Sequence, residues 1–241
     1  MSASWRARRP GSRRNGSSRC RPPGRRSPPE GSATAAPYRF ERLAWRRGLT
    51  RVAGVDEAGR GPLAGPVVAA AVILTPGRPI EGLDDSKRFA PADRERLFEL
   101  IRERAAAVGV GAADAATIDR VNILEATRLA MGQALAGLGV EPELVLTDYV
   151  RLRGIGCPQR NLVGGDRRSA TVAAASIIAK VTRDRIMEAL DREYPAYGFG
   201  RHKGYPTAAH RRAILEKGPC PLHRMSFRGV GRQGELFEEP A

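Results

Sequence analysis

The chain has 241 residues, of which 41% are hydrophobic and 28% are charged, so it is long enough for a buried core and has the composition of a soluble protein. Its longest apolar run, residues 66–74, is too short to span a bilayer, which excludes a helical membrane protein. Lys and Arg number 41 against 26 acids, and the net charge of +15 favours a polyanionic partner, with nucleic acid ahead of acidic lipid.

The first 45 residues are expected to form a disordered basic tail. Ten of the first 40 residues are arginine, Glu30 is the single acid there, and Pro, Gly and Ser dominate the rest, which leaves no apolar period to build a core. Such a tail either binds a polyanion or is simply solvated. We therefore expect residues 1–45 to be disordered, a folded domain over residues 49–228, and a flexible tail over residues 229–241.

Beyond the tail, the hydrophobic pattern predicts strands that alternate with helices. In chain order these are a strand at 51–55, a strand at 67–74, a helix at 91–107, a strand at 108–113, a helix at 122–138, strands at 144–147 and 161–163, and helices at 170–194 and 207–216. The first two strands are too close together for a helical crossover, so we expect a hairpin. The whole pattern predicts an α/β fold in which a mixed sheet has helices on both faces.

Acidic residues follow the predicted strands. Asp56 and Glu57 come directly after the first strand, Asp148 ends a later one, and Asp166 precedes the long helix. Carboxylates brought together repel one another, and a divalent cation relieves that repulsion. Oxygen ligands suit Mg²⁺ or Mn²⁺, and a pair of such ions supports phosphodiester hydrolysis. The alternative is that each acid is a surface charge or a helix cap, with Asp166 capping the helix from residue 170.

A glycine-rich loop follows the first acids. Residues 59–64 match the pattern G-x-G-x-x-[GA] of dinucleotide-binding proteins, but that motif must open a helix and here a strand-like run follows. Backbone amides at Gly59 and Gly61, with the guanidinium of Arg60, can instead contact a phosphate or a sugar edge.

Three cysteines stand far apart in the chain, at positions 20, 157 and 220. This spacing argues against a disulfide framework and favours a reducing cytoplasm. Cys220 and His223 form a Cys-x-x-His pair without further ligands at zinc spacing, so we expect packing or surface roles for the histidines.

The run GVDEAGRGPLAGPV at residues 54–67 resembles the signature of the ribonuclease HII family. Further stretches that resemble the family follow in the same order: DSK at 85–87, IDRVNIL at 118–124, AAASIIAKVTRD at 173–184, YGF at 197–199 and HKGYPT at 202–207. The resemblance spans residues 49–228 and implies a ribonuclease H-like fold, with a mixed five-stranded sheet flanked by helices and a C-terminal helical extension.

The resemblance also implies an activity. It is that of an endonuclease that hydrolyses the RNA strand of RNA–DNA hybrids and incises 5′ to ribonucleotides embedded in duplex DNA. Because water rather than the ribose 2′-OH attacks, we expect 5′-phosphate and 3′-hydroxyl ends. A non-catalytic nucleic-acid-binding module is the alternative class, and it would require no acids at strand ends.

Residue by residue, the resemblance assigns a metal site with two Mg²⁺ or Mn²⁺ ions and a substrate surface. The catalytic and metal-binding acids implied are Asp56, Glu57, Asp148 and Asp166. The implied nucleic-acid contacts are Gly59, Arg60 and Gly61 at the 2′-OH, Tyr205 on the neighbouring deoxyribose, and Lys87, Ser176, Lys180 and Arg183 at phosphates. The last three lie on one helical face, which without the resemblance is equally well read as solvated.

This chain departs from the family pattern near the fourth acid. The family has a lysine two residues before it, where this chain has Gly164, so Asp184 is an alternative to Asp166. At the C-terminus, Gln233–Phe237 resembles the short peptide that docks replication proteins on the sliding clamp, although a plain acidic tail has the same appearance. We expect a monomer with no membrane association.

Overall fold

The computed structural model describes residues 38–83 and 90–231 and has a mixed five-stranded sheet at its centre. The strands are β1 (Val52–Ala58), β2 (Val67–Leu74), β3 (Ala105–Ala113), β4 (Leu144–Asp148) and β5 (Gln159–Leu162), in the spatial order β3-β2-β1-β4-β5. β1, β2 and β3 pair antiparallel, while β4 pairs parallel with both β1 and β5. The hairpin expected of the first two strands is confirmed, and so is the mixed five-stranded sheet.

Helices cover both faces of this sheet. They are α1 (Arg39–Trp45), α2 (Pro91–Arg104), α3 (Ala115–Ala136), α4 (Gly165–Arg168), α5 (Ala170–Glu193), α6 (Phe199–His202) and α7 (Ala208–Lys217). α5 and α2 pack on one face through a core that includes Leu97 and Ile177, and α3 packs on the other through Ile118 and Met131. The residues of β2 are all buried, because helices cover both of its faces.

Several element boundaries differ from the sequence prediction. α2 ends at Arg104 rather than at residue 107, because Ala105 and Ala107 pair with β2 as the start of β3. β1 continues to Ala58, so the first two acids lie inside the strand rather than after it.

α3 begins at Ala115 rather than at residue 122, and it is kinked at Asn122, whose φ is 68°. The Asn122 side chain accepts hydrogen bonds from the amides of Leu124 and Glu125, at 3.0 and 3.1 Å. It therefore caps the second half of the helix, which is the part that the pattern predicted.

The folded part of the chain begins earlier and ends later than expected. Residues 39–45, assigned above to a disordered tail, form α1, and residue 230, assigned to a flexible tail, packs against Leu63 and Ile214. The sequence hides α1 because it has only two turns, its outer face is as arginine-rich as the tail, and one of its buried residues is an acid, Glu41. Residues 1–37 and 232–241 lie outside the described residues, and so does the clamp-like segment Gln233–Phe237.

Glu41 fastens α1 to the start of α5. Its Oε1 accepts hydrogen bonds from the hydroxyls of Ser169 and Thr171, at 2.6 and 2.8 Å, and from the Thr171 amide at 3.0 Å. Ser169 also accepts from the Val172 amide, so Ser169 rather than Asp166 caps α5. A carboxylate at a helix N-terminus is favoured because the amides there carry partial positive charge.

The segment after α5 packs beside the loop that joins β1 to β2. It contains a 3₁₀ turn (Pro195–Tyr197), α6 and α7. Backbone hydrogen bonds tie it to that loop, from Leu63 to the Gly204 carbonyl and from Gly65 to the Leu222 carbonyl, each at 2.8 Å. This is the expected C-terminal helical extension. In the part of the chain that is described, no helix is both long and apolar enough to cross a membrane.

We predict that Glu41→Ala lowers the free energy of unfolding by about 2–3 kcal/mol, because it leaves three buried donors without their acceptor. Chemical denaturation of the purified protein measures this loss. Glu216→Ala, which removes an exposed acid from α7, is the matched control and should stay within about 0.5 kcal/mol. Equal losses for the two variants would contradict the anchoring role of Glu41.

Candidate active site

Two acids stand side by side on neighbouring parallel strands, Asp56 within β1 and Asp148 at the end of β4. The register of β1 and β4 places Val55 opposite Thr147, so the next residues, Asp56 and Asp148, are neighbours on the same sheet face. Adjacent strands lie about 4.8 Å apart, which brings the two carboxylates within reach of one ion. Asp56 is only 8% exposed, and Asp148 is half-buried.

Burial and mutual repulsion define the electrostatics of these acids. Burial raises the pKa of Asp56 well above its usual range, and the charges of Glu57 and Asp148 raise it further, while a hydrogen bond from the Ser176 side chain acts in the opposite direction. Burial also raises the pKa of Glu57, partly offset by the guanidinium of Arg60 at 3.3 Å. The site therefore gathers more negative charge than its own cations balance.

Asp166 lies next to this pair. The Gly165 amide donates to Oδ1 of Asp148 at 3.2 Å, and Asp166 follows directly, with only 2% of its surface exposed. The alternative acid, Asp184, forms an ion pair with Lys180 at 2.7 Å on α5. This arrangement favours Asp166 over Asp184 as the fourth acid.

The donor chemistry of the cluster fits a divalent metal ion. Its ligands would be carboxylate oxygens, which Mg²⁺ and Mn²⁺ prefer, and Oε2 of Glu57 is buried without a hydrogen-bond partner. Within residues 38–83 and 90–231, however, no three His, Cys, Asp or Glu side chains are already arranged to hold an ion. This differs from the converged set of four ligands that the sequence predicts. In this structure each of the three acids instead has a protein donor: Ser176 for Asp56, Arg60 for Glu57 and the Gly165 amide for Asp148.

The glycine-rich loop beside the acids is held by two buried arginines. Arg224 donates to the carbonyls of Gly59 and Arg60, at 2.6 and 2.9 Å, and to the carbonyl of Gly65. Arg183 donates to further carbonyls at positions 64, 66 and 203. Gly59 has a φ of +94°, and a Cβ there would lie 2.0 Å from Nε of Arg183, so no other residue fits.

Arg183 therefore has a different role from the phosphate contact expected of it. Its side chain is fully buried and all three of its nitrogens donate to backbone carbonyls, so it fastens the loop instead of facing a substrate. Sequence reasoning missed Arg224, because a single arginine in a basic chain carries no distinguishing pattern. Burial, and secondarily the charge of Arg183, lowers the pKa of Arg224 to about 9.

The other predicted contacts are placed as follows. Ser176 hydrogen-bonds to Asp56, and Lys180 pairs with Asp184. Tyr205 is 42% exposed, and the Arg183 guanidinium lies 5.9 Å from the centre of its ring. Lys87 lies outside the described residues.

A cluster of histidines supports the backbone of Tyr205. Nδ1 of His210 bonds to the Tyr205 carbonyl at 3.0 Å, and Nε2 of His210 lies 3.1 Å from Nε2 of His223. The ring of His202 stacks on His210, with ring centroids 4.4 Å apart. Burial and the neighbouring His210 lower the pKa of His223 to about 4. These contacts agree with the packing role expected of the histidines.

The sequence model of the family described as ribonuclease HII matches residues 53–230. The chain belongs to the ribonuclease HII family. A ribonuclease HII from Geobacter metallireducens is 55% identical over 193 residues, which are 80% of this chain and 91% of that protein. As a family member, the chain is a ribonuclease H endonuclease that depends on a divalent metal ion.

Solved structures agree with the ribonuclease HII fold. The crystal structure of ribonuclease H2 from Pyrococcus horikoshii has a TM-score of 0.66 at 29% identity and covers 78% of this chain and 99% of its own. The RNase HII of Archaeoglobus fulgidus, solved in a complex with PCNA, has a TM-score of 0.62 at 27% identity. The match covers 74% of this chain and 95% of the Archaeoglobus fulgidus chain.

We predict that Asp56→Asn raises the midpoint of thermal unfolding by a few degrees in metal-free buffer, because it removes a buried charge from beside Glu57 and Asp148. The gain should be largest at neutral pH. It should shrink as the pH falls, because the wild-type carboxyl takes up its proton in the folded state first. Asp114→Asn is the control, because hydrogen bonds to Thr117 lower the pKa of Asp114 and its neutralisation should bring no gain. A destabilised Asp56→Asn protein would contradict the repulsion described here.

The histidine cluster predicts a loss of stability in mild acid. The pKa of His223 is lowered in the folded state to about 4 from about 6.5, so the unfolded chain takes up the proton first. The free energy of unfolding should therefore fall, by roughly 3 kcal/mol, as the pH drops through this window. Denaturation curves across the window test this. His223→Gln should flatten the pH dependence of the free energy of unfolding, and His202→Gln should retain it. If stability falls as steeply with pH in His223→Gln as in the wild type, His223 is not the source of the loss.

Proposed function

We propose that this chain hydrolyses the RNA strand of RNA–DNA hybrids and cuts duplex DNA on the 5′ side of an embedded ribonucleotide, leaving 5′-phosphate and 3′-hydroxyl ends. The observation that carries the proposal is the parallel register of β1 and β4, which sets Asp56 beside Asp148 next to a glycine-rich loop that exposes Gly61. A module that only binds nucleic acid has no need to bury like charges together.

The acids would hold Mg²⁺ or Mn²⁺, with two ions sharing the site. The proposed ligands are Asp56, Glu57, Asp148 and Asp166. A divalent ion, when bound, makes water more acidic and neutralises charge that develops on the leaving oxygen. The protein orients this set: Ser176 holds the Asp56 carboxylate, Arg60 holds Glu57, and the Gly165 amide holds Asp148.

The loop is proposed to recognise the 2′-OH, which alone distinguishes a ribonucleotide from its DNA neighbours. Gly61 is exposed, and a Cβ added there would have nothing within 4 Å, so its backbone is open to close approach by a ligand. Polar groups that pair with a 2′-OH are left unpaired by a deoxyribose, which gives strong discrimination. Tyr205, exposed beside the same loop, is proposed to pack on the neighbouring deoxyribose.

Phosphate contacts are proposed for residues near the acids. Ser176 and Lys180 lie one turn apart on α5, beside Asp56. Arg60, half-buried, places its guanidinium 3.3 Å from Glu57 in the cluster. Lys87 retains the same proposed role on the strength of its motif alone.

A sliding-clamp partner is proposed for the C-terminal segment Gln233–Phe237. The support is its sequence pattern and the fact that the Archaeoglobus fulgidus enzyme was solved with PCNA. Deleting residues 233–241 should abolish capture by the clamp, and unchanged capture would retire the proposal. We further propose a monomer that works in a reducing cytoplasm, for which the two described cysteines, both free thiols, are support.

The direct test of the activity uses a DNA duplex with one embedded ribonucleotide, with and without Mg²⁺. We expect a single metal-dependent cut 5′ to the ribonucleotide. Asp56→Asn should lower the rate by at least about a thousandfold while binding stays largely intact, because the charge that holds the metal is lost. Asp93→Asn, on α2, is the control and should cut at the wild-type rate. Binding without any cut by the wild-type protein would make the chain a binding module.

A pair of glycine variants separates recognition from folding. Gly61→Ala meets nothing in the protein, so its unfolding midpoint should match the wild type, while cleavage at a ribonucleotide slows because the added methyl group faces the substrate. Gly59→Ala should instead destabilise the fold, because its Cβ would overlap Arg183. Thermal melts and cleavage rates of both variants test this. Wild-type cleavage by Gly61→Ala would exclude close contact at this backbone.

A further inference from the structure

A basic groove runs between α1 and α4. It adjoins the candidate active site, but none of the four candidate acids lines it. Its cavity of about 580 Å³ is lined by the partly buried ring of Phe40, by Leu43 and by five exposed arginines. We call it the α1–α4 groove, and its arginines are Arg39, Arg42, Arg46, Arg167 and Arg168. No role discussed above for the acids or the glycine loop uses these residues.

Within the described part of the chain, acidic side chains do not balance the positive charge of the groove. Over residues 38–83 and 90–231, none of the five arginines forms an ion pair with an acidic side chain. The one acid of α1, Glu41, lies on the buried side of the helix and bonds to Ser169 and Thr171. Like charges gathered in a concave surface create a field that attracts a polyanion.

The spacing of the arginines suits a nucleic-acid strand. Arg39, Arg42 and Arg46 lie on one face of α1, and seven residues of helix rise by about 10 Å. Successive phosphates of one DNA strand advance by about 3.4 Å along the duplex axis, so this row matches about three phosphates. A planar guanidinium group can bind a phosphate in a bidentate manner, through two parallel hydrogen bonds.

The backbone that carries the groove is anchored. Glu41 fixes α1 to the start of α5, and the guanidinium groups of Arg160 and Arg168 lie 4.9 and 5.5 Å from the centre of the Phe40 ring. An anchored helix keeps its arginine positions in one row, which reduces the backbone reorganisation needed to bind an anion.

The groove is continuous with the candidate active site through α4. Within this four-residue helix, the Gly165 amide bonds to Asp148 and Asp166 is buried, whereas Arg167 and Arg168 are exposed and line the groove. A duplex whose scissile bond lies at the acids therefore has the groove beside it. An acidic membrane is the less suitable occupant, because the outer face of α1 offers Leu43 alone as an apolar anchor.

We propose that the α1–α4 groove binds the sugar–phosphate backbone of the substrate duplex beyond the cleaved bond. That the occupant is the substrate duplex rests on the proposed function. That the groove binds a polyanion rests only on its own charge and geometry. α1 precedes residue 53, where the match to the family model begins, so most of this contact lies outside the residues that define the family. The groove supplies affinity that does not depend on base sequence and takes no part in the chemical step.

The test compares two sets of arginine variants. The groove variant carries Arg39→Gln, Arg42→Gln and Arg46→Gln, and the control carries Arg102→Gln and Arg104→Gln at the end of α2, which leads into β3 at the opposite edge of the sheet. Binding of a DNA duplex with one ribonucleotide is measured by fluorescence anisotropy over a range of KCl concentrations. Cleavage is measured in Mg²⁺.

We expect the groove variant to bind roughly tenfold more weakly and to lose up to about 2.7 from the slope of log affinity against log salt, at about 0.9 for each phosphate contact removed. The KM for cleavage should rise, while the single-turnover rate at saturating protein stays unchanged. The control variant should match the wild type in all of these. A thermal melt verifies folding, and the single variant Arg42→Glu, expected to weaken binding similarly, replaces the triple variant if that one is unfolded.

Unchanged duplex affinity and salt slope in the groove variant would overturn the proposal. So would a loss confined to binding of vesicles that contain phosphatidylglycerol, because the occupant would then be a membrane. If the wild-type protein binds duplex through the groove and cuts nothing, the proposed function fails and the groove stands. If the wild-type protein cuts the duplex and the groove variant binds it as tightly as the wild type, the groove proposal fails and the proposed function stands.

Discussion

The side-by-side placement of a buried and a half-buried carboxylate is the constraint on which this structure depends. Parallel pairing of β1 with β4 brings Asp56 and Asp148 to adjacent positions, and Glu57 adds a third charge to the same region. Burial makes each charge more costly, and proximity makes the cost mutual. A bound cation would relieve this cost, and this links the topology of the sheet to the metal-dependent chemistry of the family.

A second set of buried charges makes the neighbouring loop rigid. Arg183 and Arg224 give up their hydration and donate to the carbonyls of the segment between β1 and β2. Because Arg224 belongs to the C-terminal segment, the extension after α5 and the loop are fixed to each other. The histidines continue this support to Tyr205 through His210. The exposed groups that would meet a sugar thus rest on a buried polar network, which is a condition for selective recognition.

The sequence predicts the sheet and the acids because these depend on simple patterns. Apolar runs mark β2 and β4, and a charged residue at the end of such a run is conspicuous. Other features depend on contacts between distant segments. α1 is stabilised by a buried acid whose partners lie about 130 residues away, and no local period reveals it. Arg183 has the same helical spacing as Ser176 and Lys180, and only the loop carbonyls that surround it show that it is buried.

The measurement that bears most directly on the central claim is calorimetric titration of the purified protein with Mg²⁺ in the absence of nucleic acid. If the paired acids hold the metal, the wild-type protein binds Mg²⁺ and Asp148→Asn loses that binding, while Asp93→Asn, with the same change of charge on α2, retains it. Equal Mg²⁺ binding by Asp148→Asn and the wild type would show that the ion is held elsewhere and would contradict the account.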